Sequence, residues 1–406
     1  MSLPDLPLGH LQSKRSDHVE GGLYGDLEPF LQGFRASRPL DLNMDRWRRN
    51  HPGGSFAEWR TKAKAQVLES LHYHPGPLDL GAEILEVEQR EGFRVERVAF
   101  NTSPWSRVEG YFLCPDGDGP FPAVVALHAW GGSFLFGKEQ IVSRGKSHPR
   151  LDELINTSYG GRYIGEDLAR RGYAVLVIDA FHFGRRAPWG AKLLNGREGL
   201  WLPPYSDPLD LDVETYDKLY TQVSEALLYG GFGYLGWAGT TLSGVHFWDD
   251  SRCVDYLISR PEVDGSRIAC VGLSGGGRRV NLLAALDDRI GASASVCWMT
   301  TGDWGHLYGF TGAIGSASTM GGLWQRMDYS DLGVITAPRH ALVIAAQDDR
   351  LFSPEGMEEA AAKIRDGFEW AGVPDHFLFH YPQMPHSFPL ESQNFAWDWF
   401  DRSLNL

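Results

Sequence analysis

Apolar residues arrive along this chain in two alternating rhythms. Ser55 and Glu58 form an S-x-x-E capping box, and Phe56, Trp59, Ala63, Val67 and Leu71 then follow at helical spacing. That pattern predicts a helix beginning just after Ser55. Short strand-like runs come next, around Leu85–Glu88, Phe93–Phe100 and Val108–Cys114, with turn signals at Glu91-Gly92 and Asp116–Gly119. They read as antiparallel strands along one edge of a larger sheet.

After Pro122 the texture changes. Ala123–Leu127 is a continuous apolar run, as expected of a strand buried on both faces. A helix around Gly165–Arg171 closes on Gly172, and Tyr173–Ile178 is a second apolar run. A helix from about Ser243 to Arg260 stops at Pro261. Strands are expected at Arg267–Val271, Ala292–Val296, Ala341–Ala346 and Phe377–Tyr381. Between them fall a small-residue helix from Gly275 to Leu286 and a helix with Met357, Ala361, Ile364 and Phe368 on one face; a last helix carries Phe395 and Trp399. Strand and helix alternate, which predicts an α/β protein: a mostly parallel sheet with helices on both faces. Two long stretches, about 181–242 and 298–338, interrupt the rhythm as lid-like insertions. Residues 1–80 read as a helical N-terminal extension, and 81–406 as the domain that carries the sheet.

Composition narrows the classes. Hydrophobic residues make up 43% and charged residues 22%, a globular balance. The net charge is −14 and no basic run occurs, so neither nucleic acid nor an anionic membrane surface is expected as a partner. Met1 to Gly22 has no continuous apolar stretch, and no segment nears 18 apolar residues. The expected location is therefore cytoplasmic. Cys114, Cys253, Cys270 and Cys297 are scattered without a CxxC and read as buried free thiols.

The sharpest chemical signal is Gly272-Leu273-Ser274-Gly275-Gly276, between a predicted strand and a predicted helix. A serine on such a turn is raised above the sheet edge, where free helix N–H groups await a developing oxyanion. It needs a base, and chain order places that base after an acid. His386, in Met384-Pro385-His386-Ser387-Phe388 after the last strand, fits the base. Asp348 and Asp349 both end the preceding strand; Asp349 is preferred, and Asp348 stays open. For the oxyanion hole the N–H groups of Gly275 and Trp130 are expected, the latter in the loop Leu127-His128-Ala129-Trp130-Gly131-Gly132-Ser133.

These motifs, with the following AALDDRI and the MPHSFP loop, resemble the dienelactone hydrolase and acetyl xylan esterase branch of α/β-hydrolases, from about Val87 to the C-terminus. The resemblance implies the α/β-hydrolase fold and hydrolysis of carboxylic esters without cofactor or metal. It maps the triad onto Ser274, Asp349 and His386. Dienelactone hydrolases proper use a cysteine nucleophile, so the serine here favours ester hydrolysis over lactone opening. Gly275 stands where many xylan-deacetylating relatives carry glutamine.

The insertion at about 181–242 is rich in aromatic residues, which suit either a sugar-binding face or the core of a lid. His128, Trp201, Tyr205, Trp237 and Trp304 are the candidate pocket residues. The expected partner is a small-molecule ester with a short acyl, carbohydrate or aromatic group, and a homo-oligomer stays open. Peptidase or amidase action and a catalytically idle binding protein are the rival readings.

Overall fold

The computed structural model describes residues 33–76, 78–131, 134–188, 207–227, 231–302 and 318–405. Two helices lead, α1 (Met44–Asn50) and α2 (Phe56–Ser70). Ser55 caps α2: its hydroxyl accepts from Glu58 N, and the Glu58 carboxylate accepts from Ser55 N, the reciprocal bonds of a capping box. Three antiparallel strands follow, β1 (Glu83–Arg90), β2 (Phe93–Ser103) and β3 (Ser106–Pro115).

The parallel part then begins with β4 (Phe121–Leu127). Helices α3 (Pro149–Tyr159) and α4 (Ile164–Arg170) lead to β5 (Ala174–Ile178). Within the first predicted interruption lie α5 (Val213–Ala226) and α6 (Phe232–Trp237). After it come α7 (Leu242–Ser259), β6 (Val263–Leu273), α8 (Gly275–Leu286) and β7 (Ile290–Val296). The second interruption holds α9 (Leu323–Arg326) and α10 (Tyr329–Ile335). The chain ends with β8 (His340–Ile344), α11 (Pro354–Trp370), β9 (Phe377–His380) and α12 (Leu390–Ser403).

The sheet has nine strands in the order β1-β2-β3-β5-β4-β6-β7-β8-β9. Strands β4 to β9 pair in parallel, and β3 joins β5 antiparallel, so the edge ribbon meets the parallel block there. Period-two alternation splits each strand between two cores. Ala123, Val125 and Leu127 of β4 face one, with Trp59 of α2, Cys253 of α7 and Ile364 of α11. Val124 and Ala126 face the other, with Leu151 of α3, Leu168 of α4 and Trp397 of α12. A sheet covered on both faces explains why its strands read as unbroken apolar runs. Helix α2 is tied down by its Trp59 indole, which donates to Leu42 O at 2.8 Å. All four cysteines are free and buried. Among the described residues, no helix is long and apolar enough to cross a membrane.

Candidate active site

Strand β6 ends at Leu273 and α8 begins at Gly275, leaving Ser274 as the single residue of the turn. Its backbone sits at φ 57°, ψ −117°, a conformation that costs a residue with a side chain about 1–3 kcal/mol. Neighbouring bonds hold it there. Ser274 N donates to Val296 O at 2.8 Å, and Arg278 N donates to Ser274 O at 2.9 Å. The turn is tight enough to require glycine: a β-carbon at Gly276 would lie 2.0 Å from Leu127 O. The Ser274 hydroxyl does not cap α8, so it is not consumed by the helix it heads.

Strands β6, β7, β8 and β9 are adjacent and parallel, so the loops after them share one edge of the sheet. Asp349 follows β8 and His386 follows β9. His386 Nδ1 lies 2.7 Å from Asp349 Oδ2, with the carboxylate wholly buried and the imidazole partly open. The carboxylate can only accept, so Nδ1 carries the proton and Nε2 is left with its lone pair. The second Asp349 oxygen accepts from Leu351 N at 2.8 Å, which fixes the side chain. Asp348 is exposed, and its amide binds Met384 O at 3.1 Å, tying the acid's loop to the base's loop. No hydrogen bond joins Ser274 to His386 directly; such contacts commonly tighten only when substrate is bound.

The first buried loop, after β4, approaches the turn from the other side. A β-carbon built at Gly275 would lie 2.8 Å from Trp130 Cβ and 3.0 Å from Trp130 N. Glycine at this position therefore lets the Trp130 and Gly275 backbones lie side by side. The loop is pinned from behind: Ala129 N donates to the Tyr159 hydroxyl at 3.2 Å, and Gln140 Nε2 donates to Ala129 O at 3.3 Å. His128, expected from the sequence as a pocket residue, lies buried within this support, with both ring nitrogens engaged by backbone. Ala180 N donates to its Nε2 at 3.0 Å, so the proton sits on Nδ1, which meets Ala129 O at 2.9 Å. Burial, followed by the charge of Arg279, drives its pKa down to about 3. Trp237 stands 89% exposed on α6, out in solvent. Trp201, Tyr205 and Trp304 lie outside the described residues. Of the other insertion aromatics, Tyr216 packs against Phe136 in the core, whereas Phe232 packs against the Trp130 ring at 5.9 Å.

Three features of this region went unseen in the sequence. Cys297 follows β7 with φ 50°, and its Sγ donates to Ser387 O at 3.5 Å, bracing the loop that carries His386. Its Sγ and the polar atoms of Asp349 and His386 lie within 4.8 Å of one another. Burial and the nearby Asp349 charge push the thiol well up, so it stays S–H, and Nδ1 is already committed to Asp349. Behind the turn, Arg279 forms a buried ion pair with Asp250, 2.5 Å at its shortest. Arg278 donates to two neutral groups, Ser243 Oγ at 3.0 Å and His246 Nδ1 at 2.7 Å, and burial lowers it to about 10. The two arginines bolt α8 to α7. Their one sequence signal is the Arg278-Arg279 pair itself, which reads equally well as a solvated face.

Comparison with known proteins agrees with this architecture. No family model matches the chain. A Bacillus subtilis (strain 168) protein named "Putative hydrolase YtaP" is 24% identical over 320 residues, 78% of this chain and 90% of that protein. The Glucuronoyl Esterase from Solibacter usitatus superposes with a TM-score of 0.60 at 16% identity, covering 87% of this chain and 95% of that one. A "putative acetyl xylan esterase" from Bacteroides fragilis gives 0.58 at 17% identity, covering 80% and 75%. Strand order, the turn after β6 and these likenesses agree: the chain has the α/β-hydrolase fold.

Proposed function

We propose that the chain is a serine esterase, a carboxylic ester hydrolase with Ser274 as nucleophile, Asp349 and His386 completing the triad, and the Trp130 and Gly275 N–H groups as oxyanion hole. One observation carries this reading: a serine held at φ 57° shares a sheet edge with an imidazole oriented by a buried carboxylate. The strained turn has no structural use for a hydroxyl, and the His–Asp pair orients the lone pair of Nε2.

Ser274 Oγ attacks the ester carbonyl while His386 Nε2 takes its proton. Charge moves onto the carbonyl oxygen, where two backbone N–H groups and the N-terminus of α8 stabilise it. His386 then returns the proton to the leaving alcohol, and water repeats the sequence on the acyl-enzyme. Asp349 stabilises the imidazolium between the two transfers. The names of the matched structures, glucuronoyl esterase and acetyl xylan esterase, support a carbohydrate ester as substrate.

The test is hydrolysis of p-nitrophenyl esters from acetate upward in chain length, alongside Ser274→Ala. Activity on short chains that vanishes in the variant, with fluorophosphonate labelling lost in parallel, is the expected result. Activity unchanged in Ser274→Ala would discard the reading.

A further inference from the structure

The antiparallel ribbon carries a polar cleft that the mechanism above does not use. Glu86 of β1 stands opposite Arg97 of β2, Arg97 opposite Tyr111 of β3, and Tyr111 opposite Val177 of β5. Residues paired in this way point to one face of the sheet, and Glu109, two places before Tyr111, points there too. Lys138 and Glu139 from the loop after β4 and Arg185 from the loop after β5 complete a cleft of about 240 Å³ over this row. That volume lies just below the small-molecule range, which starts at about 300 Å³. Strand β3 is three spacings from β6, about 14 Å at about 4.8 Å per strand, so the cleft is separate from the turn that carries Ser274.

The floor of the cleft and its rim differ. On the floor the buried Lys138 Nζ lies 2.7 Å from Asp179 Oδ2 and 3.0 Å from Glu139 Oε1, so its charge is matched. On the rim the pairing is loose. Arg97 lies 3.3 Å from Glu86 Oε2 and 3.3 Å from Glu109 Oε2, and Arg185 lies 3.5 Å from that same Glu109 oxygen. Well-formed charge-assisted bonds measure about 2.7–2.9 Å. Two guanidiniums therefore share one carboxylate oxygen at long range. Tyr111 lines the cleft and is only 6% exposed, yet its hydroxyl has no hydrogen-bond partner among the described residues. Burial pushes that hydroxyl's pKa up, so it stays a donor. A polar group so deeply set is ordinarily hydrogen-bonded, and here the cleft is where an acceptor can come from.

Four basic and four acidic side chains line the cleft. A bare anion would meet the carboxylates and a bare cation the guanidiniums, whereas a molecule with both charges finds an opposite partner at each end. We propose that this cleft binds a small zwitterion, an amino-acid-like compound whose carboxylate takes the donors of Arg97 and the Tyr111 hydroxyl. Its ammonium meets Glu86 and Glu109, whose present bonds to Arg97 are the loose ones.

The experiment is isothermal titration of the full chain with γ-aminobutyrate, and with butyrate and n-butylammonium, which share its chain but carry one charge each. Glycine and β-alanine test shorter separations of the two charges. At least one zwitterion should bind about 10-fold or more tightly than either singly charged compound. Tyr111→Phe, which keeps the buried ring, and Arg97→Gln, at a partly exposed position, should each weaken that binding by about 10-fold or more. No binding by any of the three zwitterions would overturn the inference. So would equally tight binding of butyrate or n-butylammonium, or affinity left unchanged in either variant.

Discussion

Asp348 and Asp349 are identical side chains one peptide apart, and their surroundings could hardly differ more. Asp348 is exposed, while Asp349 is buried with one oxygen on His386 and the other on Leu351 N. Asp349→Asn removes the acceptor that fixes the proton on Nδ1 and is expected to lower kcat by about 10³- to 10⁴-fold. Asp348→Asn should stay within about threefold, and steady-state kinetics on p-nitrophenyl acetate decide; the opposite ranking would move the acid to Asp348. Chain order alone brought the acid down to these two residues, because it fixes the strand end but not which side chain turns inward. The same limit governs the histidines. His128 and His386 both follow strands near glycine or proline, yet one has both nitrogens taken by backbone and the other keeps Nε2 free. The left-handed backbone of Cys297 and His182 left no trace in the sequence, since a positive φ on a residue with a β-carbon has no compositional mark.

Elements were legible where a local signal agreed with the buried pattern. The capping box at Ser55 marked the start of α2, and Gly275 to Leu286 bounds both the expected and the observed α8. Ser55→Ala should remove about 0.5–2 kcal/mol of stability, read as a lower urea midpoint at unchanged slope, with kcat unaltered. An unchanged midpoint would mean that packing of Trp59 alone secures α2. Helix α3 escaped notice because His148 caps it, accepting from Arg150 N, where a serine, threonine or aspartate would have advertised the start. Strand β6 starts at Val263, earlier than its apolar run, because Asp264, Gly265, Ser266 and Arg267 make a polar beginning that pairing, not hydrophobicity, extends. Helix α5 fell inside a stretch read as an insertion, although Asp212 caps it and Tyr216, Leu219 and Val223 bury one face. Dense aromatics masked its helical period, and tertiary contact with Phe136 resolved it.

At the scale of the whole molecule, the fold stores neutral histidines that acid must charge. Burial holds His128 down to about 3, His182 and His340 to about 4, and His246 well below its usual 6.5. In each case the folded form binds its proton more weakly than the unfolded chain does. Stability from these groups is therefore fully present above about pH 6.5 and drains away as pH falls toward the folded values. For each fully buried ring the slope approaches about 1.4 kcal/mol per pH unit, while the half-buried His340 contributes less. Glu139 and Asp250, pushed up by burial, work in the opposite sense, because the folded state takes their protons more readily. The histidines titrate first on the way down from neutrality, so urea unfolding should show stability declining between about pH 6.5 and about pH 5. A flat or rising curve across that window would mean the buried rings are not held neutral. Activity can be lost with pH for reasons other than unfolding, so lost activity alone would not separate folding from chemistry. Measured in Ser274→Ala, where no turnover is at stake, the decline in stability isolates the buried rings from the base that the proposed reaction uses.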